Sequence, residues 1–514
     1  EISACLVGSE MCIRDSMELS RTGEPTSRDK TIYFYTKVLS YRDQIEFFES
    51  AASRDYIFIA YYNLIRVAPG LGILDIETAY RLWEELCQIR TMPKFCQYDT
   101  TNPRIPQLCD CAINDFRAYG AVLNVERVIA PSAILSSLEN MTQIYYSEIL
   151  HEHGSIYECP AFTVFNYHYV QARNGTITWE AAWQILDDYY VHKMQTIGQV
   201  SSPDLLAFYT NLPLNLIDVL GHTHFKEEFK QATYRRYRNL ITSYLMNQPA
   251  SLNSYTLNNG VQLVAFHPLI LGTFQNRMEK MNFIVDLVVT RHLTTFTHSV
   301  MVSYLAEAIG KHILAARPEL LRIPSSYLEG NVYASPAEVL DYIVPAALFH
   351  DIGKNGMIPI INTQHRKLND YEFNIIQTHP QKGSDYLSSD PDFLIYQPVA
   401  LGHHRSYDGT RGYPLSFDNT ASPYRDAIDL IHICDCLDAA TDYLSRNYHR
   451  AKPFDVVLNE LKAGRGTEYN PDMVDVILSD RELYNDLKML TEQNRENIYY
   501  DIYLTFVNLR KKRQ

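Results

Sequence analysis

From about residue 30 to the C-terminus, apolar positions recur at helical rather than strand spacing. Ile76, Ala79, Tyr80, Trp83, Leu86 and Cys87 fall at i, i+3, i+4, i+7, i+10 and i+11, one stripe of a helix, with Asp75 placed to cap it. Trp179, Ala182, Trp183, Leu186, Tyr189 and Tyr190 repeat those intervals after Thr178. Each stripe follows a Gly-containing turn, Pro69-Gly70 or Asn174-Gly175, and each turn follows an aromatic-rich stretch, Tyr56 to Val67 or Phe162 to Val170. The pattern predicts two similar helix-turn-helix units. Either a degenerate repeat or chance likeness between amphipathic helices accounts for the similarity.

Further along, Ser335 as N-cap, Pro336 at the first helical position and Glu338 spell a capping box. The stripe Val339, Leu340, Ile343, Val344, Ala347 and Leu348 then delivers the pair His350-Asp351 at the far end of that helix. His298 opens another helix, with Val302, Leu305, Ala306, Ile309 and Ile313 as its core face. Residues 247–262 are polar and turn-rich, which marks a domain boundary. The expected fold class is all-α. Residues 17–250 form a helical regulatory or interaction domain, 251–270 a linker, and 271–514 a second helical domain.

Composition narrows the function. The chain has 514 residues, 46% of them hydrophobic, enough for more than one real core. Its formal charge of −14 argues against a nucleic-acid polymer as partner, while a small anionic ligand in a locally basic pocket stays compatible. No apolar run of about 18 residues appears, so no membrane insertion is expected. Nine cysteines without paired CxxC knuckles make neither a disulfide framework nor a zinc ribbon. Cys109-x-Cys111 and Cys434-x-Cys436 are the only close pairs, and a cytoplasmic location is the simpler reading. The first 16 residues, Glu1 to Ser16, resemble translated sequencing-adapter read-through and lack the pattern of a secretory signal. They are set apart from the fold, which makes Met17 a plausible true start.

Candidate chemistry concentrates in the second half. In order come Thr297-His298, His350-Asp351 with Lys354, Thr378-His379-Pro380, His403-His404, and Asp435. By itself His350-Asp351 reads as a helix end followed by a turn. Asp435, however, lies in the apolar run Ile431 to Leu437, where a carboxylate is costly to bury unless it is paired or bound to a cation. Five histidines and two aspartates on successive helices offer mixed nitrogen and oxygen donors, which suit manganese, iron or zinc better than magnesium. In the first half, His151-Glu152-His153 and His222-x-His224 hold their imidazoles at i, i+2, facing apart, so surface roles are expected. No Walker loop or Rossmann glycine fingerprint is present.

The order H…HD…H…HH…D, with His350-Asp351-Ile352-Gly353-Lys354 and a downstream Gly412-Tyr413-Pro414, resembles the HD-GYP family of HD phosphohydrolases over about residues 271–480. The segment Gly464-Arg465-Gly466-Thr467-Glu468-Tyr469-Asn470-Pro471 is similar to that family's GTxFDP stretch. The resemblance implies a helical-bundle, metal-dependent phosphodiesterase that hydrolyses cyclic di-GMP to the linear dinucleotide or GMP. It implies a bacterial protein and, because members often dimerise, a homodimer. It also implies His298, His350, Asp351, His379, His403, His404 and Asp435 as metal ligands, Asp351 bridging. Lys354 matches the lysine at the scissile phosphate. Asp438, Arg446 and Arg450 match substrate-holding positions, with Gly412, Tyr413 and Pro414 as the loop beside them. The implied cofactors are two divalent transition-metal ions, manganese or iron before zinc.

The chain departs from the family pattern in three places. Its loop reads His403-His404-Arg405-Ser406-Tyr407-Asp408-Gly409-Thr410-Arg411-Gly412-Tyr413-Pro414, with Arg405 where the family has Glu and one extra residue. The stretch from Asp438 to Arg446 is two residues longer than usual. Thr294 stands where three-metal members carry a carboxylate, so two metals are expected rather than three. The arginines Arg405 and Arg411 suit an anionic ligand or stand solvated. The substrate is therefore cyclic di-GMP or a related cyclic dinucleotide. The alternatives are a binding or scaffold protein with weak or no turnover, and an HD phosphohydrolase for another nucleotide. The signal or protein partner of the N-terminal domain is unassigned.

Overall fold

Asp75 caps its helix as its position predicts: the Thr78 amide and hydroxyl both donate to its carboxylate at 2.8 Å. The computed structural model in which this is seen describes residues 32–33, 35–47, 51–67, 74–91, 104–120, 132–196, 203–248, 255–289, 291–325, 332–357, 368–444 and 451–511. The segment Glu1 to Ser16 lies outside them, as do Arg446 and Arg450. The described residues are all-α. No strand forms, and only isolated bridges pair Pro324 with Tyr333, Arg405 with Gly412 and Arg465 with Tyr469. No helix among them is long and apolar enough to cross a membrane.

Contacts divide the chain into two compact units, Glu1–Phe208 with Leu212–Lys230, and Tyr209–Asn211 with Gln231–Gln514. In the first, both expected helix pairs form: Ala51–Tyr62 before Ile76–Thr91, and Ala161–Arg173 before Trp179–Thr196. Ala79 and Leu86 are buried with Phe58, Tyr61 and Phe116, and Trp83 stacks on Phe116 while its indole donates to the Ile113 carbonyl at 3.2 Å. Ala182, Leu186, Tyr189 and Tyr190 bury the corresponding face of the later helix, where the Tyr189 hydroxyl donates to the Cys159 carbonyl at 2.8 Å. His151 and His153 end an exposed helix terminus, as expected.

The boundary was expected at 251–270, and these contacts change allegiance near residue 230. Within the expected linker, Tyr255–Ala265 is a helix with Val261, Val264 and Ala265 buried. Its polar beginning imitates a turn, but the apolar end supplies a face to bury, and burial outweighs local propensity.

The second unit is built on two long helices, α1 (Leu293–Ala316) and α2 (Pro336–Phe349), the latter opening with the complete Ser335–Glu338 capping box. Around them stand α3 (Asp370–Ile376), α4 (His379–Leu387), α5 (Gln397–Gly402), α6 (Arg425–Thr441), α7 (Pro471–Ser479) and α8 (Arg495–Lys511). Three carboxylates of α6 are buried: Asp429, Asp435 and Asp438. Asp429 faces Asn470, whose amide donates to it at 3.1 Å, and Arg425, 3.8 Å away. Burial pushes its carboxyl up to about 7 despite the Asn470 hydrogen bond. The unfolded chain releases this proton near pH 4 and the folded chain near 7, so ionisation erodes stability as pH rises across that interval. Asp429→Asn is therefore expected to raise the melting temperature more at pH 8 than at pH 5. Equal gains at both would remove Asp429 as the cause.

Candidate metal centre

Several helices bring histidines and aspartates to one place in the second unit, and four of the rings are turned by a hydrogen-bond partner on the far side. His298, near the start of α1, directs Nδ1 to the Asp438 carboxylate at 2.6 Å. His350, at the end of α2, directs Nδ1 to the Ala347 carbonyl at 2.6 Å. His379 does the same to the Ile376 carbonyl at 2.6 Å, and His403 to the Ala400 carbonyl at 3.0 Å. With Nδ1 donating outward, Nε2 is left as an acceptor facing inward, the arrangement by which metal-binding histidines are oriented.

The inward nitrogens converge on Asp351. Its Oδ1 lies 3.1 Å from His379 Nε2 and 3.6 Å from His403 Nε2. Its Oδ2 lies 3.6 Å from His298 Nε2, 3.5 Å from His350 Nε2, and within hydrogen-bond reach of the Lys354 ammonium. One carboxylate thus turns its two oxygens to two different pairs of imidazoles. Asp435 joins from α6, 3.0 Å from His298 Nε2 and 3.7 Å from His404 Nδ1. Donor atoms of Asp351, His379, His403 and His404 lie within 4.8 Å of one another, as do those of His298, His350 and Asp351, and those of His350, His403 and Asp435.

The close approach depends on Gly353. A Cβ there would stand 1.9 Å from the His379 carbonyl oxygen, so any other residue would push α4 and its histidine away from Asp351. Electrostatics leave the donors in binding form. Burial drives the His350 imidazole down to about 3 and that of His379 to about 4, and it lowers His404 as well. Burial alone would raise the Asp351 carboxyl, but the Lys354 ammonium, with the imidazoles around it, holds it well below the usual carboxylate range. Asp435 is held low in the same way by His298. Neutral imidazoles and ionised carboxylates are what a divalent cation requires. The Nε2 atoms of His350 and His404 are buried with no hydrogen-bond partner among the described residues, so the donor set fits a metal.

The structure brings His298, His350, Asp351, Lys354, His379, His403, His404 and Asp435 together, and places Tyr413 beside them, its ring 4.5 Å from that of His404. Asp438 does not face the pocket. It is fully buried behind His298, with Oδ2 on that ring and Oδ1 2.8 Å from the Arg495 guanidinium. The position expected to touch substrate thus has both oxygens engaged within the protein, by His298 and by Arg495.

Arg405 is buried. Its side chain turns into the loop, where the guanidinium donates to the carbonyls of Arg411 at 2.8 Å, of Gly412 at 3.3 Å and of Gly409. These bonds tie residues 409–412 into a tight curl. Gly412 completes the curl with φ of +88°, a Cβ there falling 1.9 Å from the His404 carbonyl oxygen. Arg411 stays largely exposed and pairs with Glu468 at 3.1 Å. Arg405→Ala should remove its hydrogen bonds to the Gly409, Arg411 and Gly412 carbonyls and cost about 2 kcal/mol by urea denaturation. Arg405→Lys should recover only part, because one ammonium cannot reproduce the fork.

Sequence reasoning missed His432. Its Nδ1 donates to the His403 carbonyl at 2.6 Å, and its Nε2 lies 3.4 Å from Glu468. It ties α6 and the Gly464–Pro471 segment to the backbone that carries His403-His404. The cost of burying a polar group in an apolar run, which singled out Asp435, applies equally to His432 in the same run.

Residues 295–447 match the family described as the HD domain. A cyclic di-GMP phosphodiesterase of Vibrio cholerae is 26% identical over 303 residues, covering 53% of this chain and 60% of that protein. The cyclic di-GMP phosphodiesterase response regulator RpfG of Xanthomonas campestris is 33% identical over 146 residues, 28% of this chain and 37% of that protein. A 3′3′-cGAMP-specific phosphodiesterase of V. cholerae is 25% identical over 203 residues, 39% of this chain and 37% of that protein. The chain thus spans less than two thirds of each of these relatives.

Proposed function

We propose, from the premise that residues 295–447 belong to the HD superfamily in its HD-GYP form, that this protein is a metal-dependent phosphodiesterase acting on a cyclic dinucleotide. The observation that carries the reading is the division of Asp351 between two pairs of imidazoles, with Lys354 on the same carboxylate. His298, His350 and Asp435 would hold one ion and His379, His403 and His404 a second, with Asp351 shared. Manganese or iron suits this nitrogen-rich set best. Bound there, such ions supply Lewis acidity toward the phosphoryl group and acidify water.

The chain's own residues do the rest. Lys354 is the cation left to meet a non-bridging phosphate oxygen once Asp351 is occupied by metal. Asp438 keeps His298 in one tautomer, and His432 holds the His403-His404 backbone in place. The Tyr413 hydroxyl, pushed up by burial and by the fields of Asp435 and Asp351, stays protonated and can donate a hydrogen bond to an anionic substrate.

The test is hydrolysis by the purified full chain loaded with Mn2+ or Fe2+, offered cyclic di-GMP and 3′3′-cGAMP, with the products resolved chromatographically. Linear dinucleotide or mononucleotide is expected. Protein carrying two metal ions per chain that cleaves neither would overturn the enzymatic reading and leave the binding-protein alternative.

A further inference from the structure

The aromatic rings around the metal centre continue outward beyond Tyr413. The Tyr413 ring lies 4.5 Å from His404 at 35° and 6.1 Å from His379. On its other side stands Phe373, its centroid 6.2 Å away and its plane at 84°. Burial falls along this line, from His404 through half-buried Tyr413 to Phe373, which is 46% exposed.

Phe373 is not placed there by core packing. Its helix α3 is anchored by a full capping box between Asn369 and Glu372 and by Ile375, which is 5% exposed. The helix therefore keeps its position without help from the Phe373 ring. A large aromatic surface left in water beside a catalytic pocket is unfavourable until something covers it. The occupant follows from what the pocket holds. A phosphodiester at Asp351 and Lys354 carries its nucleobases several ångströms from the phosphorus, and among the described residues Phe373 offers an exposed ring next to Tyr413 on the outer side of His404 and His379. Purines present a π-face of matching size, and base–aromatic stacking tolerates either guanine or adenine.

We infer that Phe373 is a base-stacking residue that receives one purine of the bound cyclic dinucleotide; this rests on the proposed function. It assigns the outer wall of the substrate site to α3, whose Phe373 stands against Tyr413 of the rewritten loop.

The experiment compares the metal-loaded wild type with Phe373→Ala, Phe373→Leu and Phe373→Trp. Substrates are cyclic di-GMP, 3′3′-cGAMP and methyl p-nitrophenyl phosphate, a diester without a base; metal content and melting temperature check integrity. Phe373→Ala should raise KM for the cyclic dinucleotide about tenfold, within the range of single base–aromatic stacks, with little change in kcat. Phe373→Trp should restore KM and Phe373→Leu should not, while hydrolysis of the base-free diester stays unchanged in all three. A wild-type KM in Phe373→Ala, or full rescue by leucine, would overturn stacking while leaving the phosphodiesterase reading intact. A wild type that cleaves the base-free diester but no cyclic dinucleotide overturns the functional reading and the stacking role together.

Discussion

Asp351→Ala is expected to abolish metal loading and to lower turnover by about 10³-fold or more, equivalent to about 4 kcal/mol of lost transition-state stabilisation. The size follows from position. Asp351 is 1% exposed and is the one carboxylate whose two oxygens face separate imidazole pairs, so its removal leaves neither ion a complete set. Asp351→Asn is the companion variant. It keeps the volume and one acceptor oxygen but loses the negative charge, so the metal-free fold should survive while loading fails. Metal analysis by mass spectrometry and circular dichroism separate these outcomes. An Asp351→Ala protein that still bound two ions would contradict the bridging role.

Arg495→Ala should produce the largest loss of stability, about 3–5 kcal/mol, the scale of breaking a buried ion pair from one side. The Arg495 side chain is fully buried. It lies 2.8 Å from Asp438 and 3.7 Å from Asp442, and it donates to the Thr441 hydroxyl at 2.8 Å and the Thr491 carbonyl at 2.9 Å. Without it, two buried carboxylates lose the cation beside them, and Asp438 loses the partner that steadies it against His298. Urea denaturation should report the stability loss, and metal titration should show affinity weakened by about 10–100-fold, as for other residues that orient a ligand. Adding Asp438→Asn to Arg495→Ala should return part of the stability, because a neutral amide can still accept from His298 without a buried charge. Additive losses in the double variant would show that the two residues do not act as a pair.

Much of this site was legible in the chain because most of its donors sit near helix ends, where sequence is most readable, and because Asp435 stands out within an apolar run. Ser335 and Glu338 locate the start of α2, and the apolar stripe then counts forward to His350-Asp351. What stayed hidden is the choice of partner. Asp438 resembles a substrate contact when only its motif is read; its burial against His298 and Arg495 depends on residues far along the chain, the latter bonding Thr441 from 54 positions away. Arg405 shows the same limit. A cation beside a phosphate-binding loop reads as a ligand contact, and only the curl of Gly409 to Gly412 reveals that its donors are spent on backbone carbonyls. The helix Tyr255–Ala265 was concealed for another reason: Asn258-Asn259-Gly260 spells a turn, while the buried face that Val261, Val264 and Ala265 supply lies beyond it.

The contact between His298 and Asp438 joins residues 140 positions apart, and the remaining donors come from separate helices between them. Closing so long a span carries an entropic cost before any metal can be gripped, so the pocket is a product of folding and cannot serve as its nucleus. Ions should therefore enter an already assembled bundle and act afterwards as a clasp, slowing its opening far more than they speed its formation.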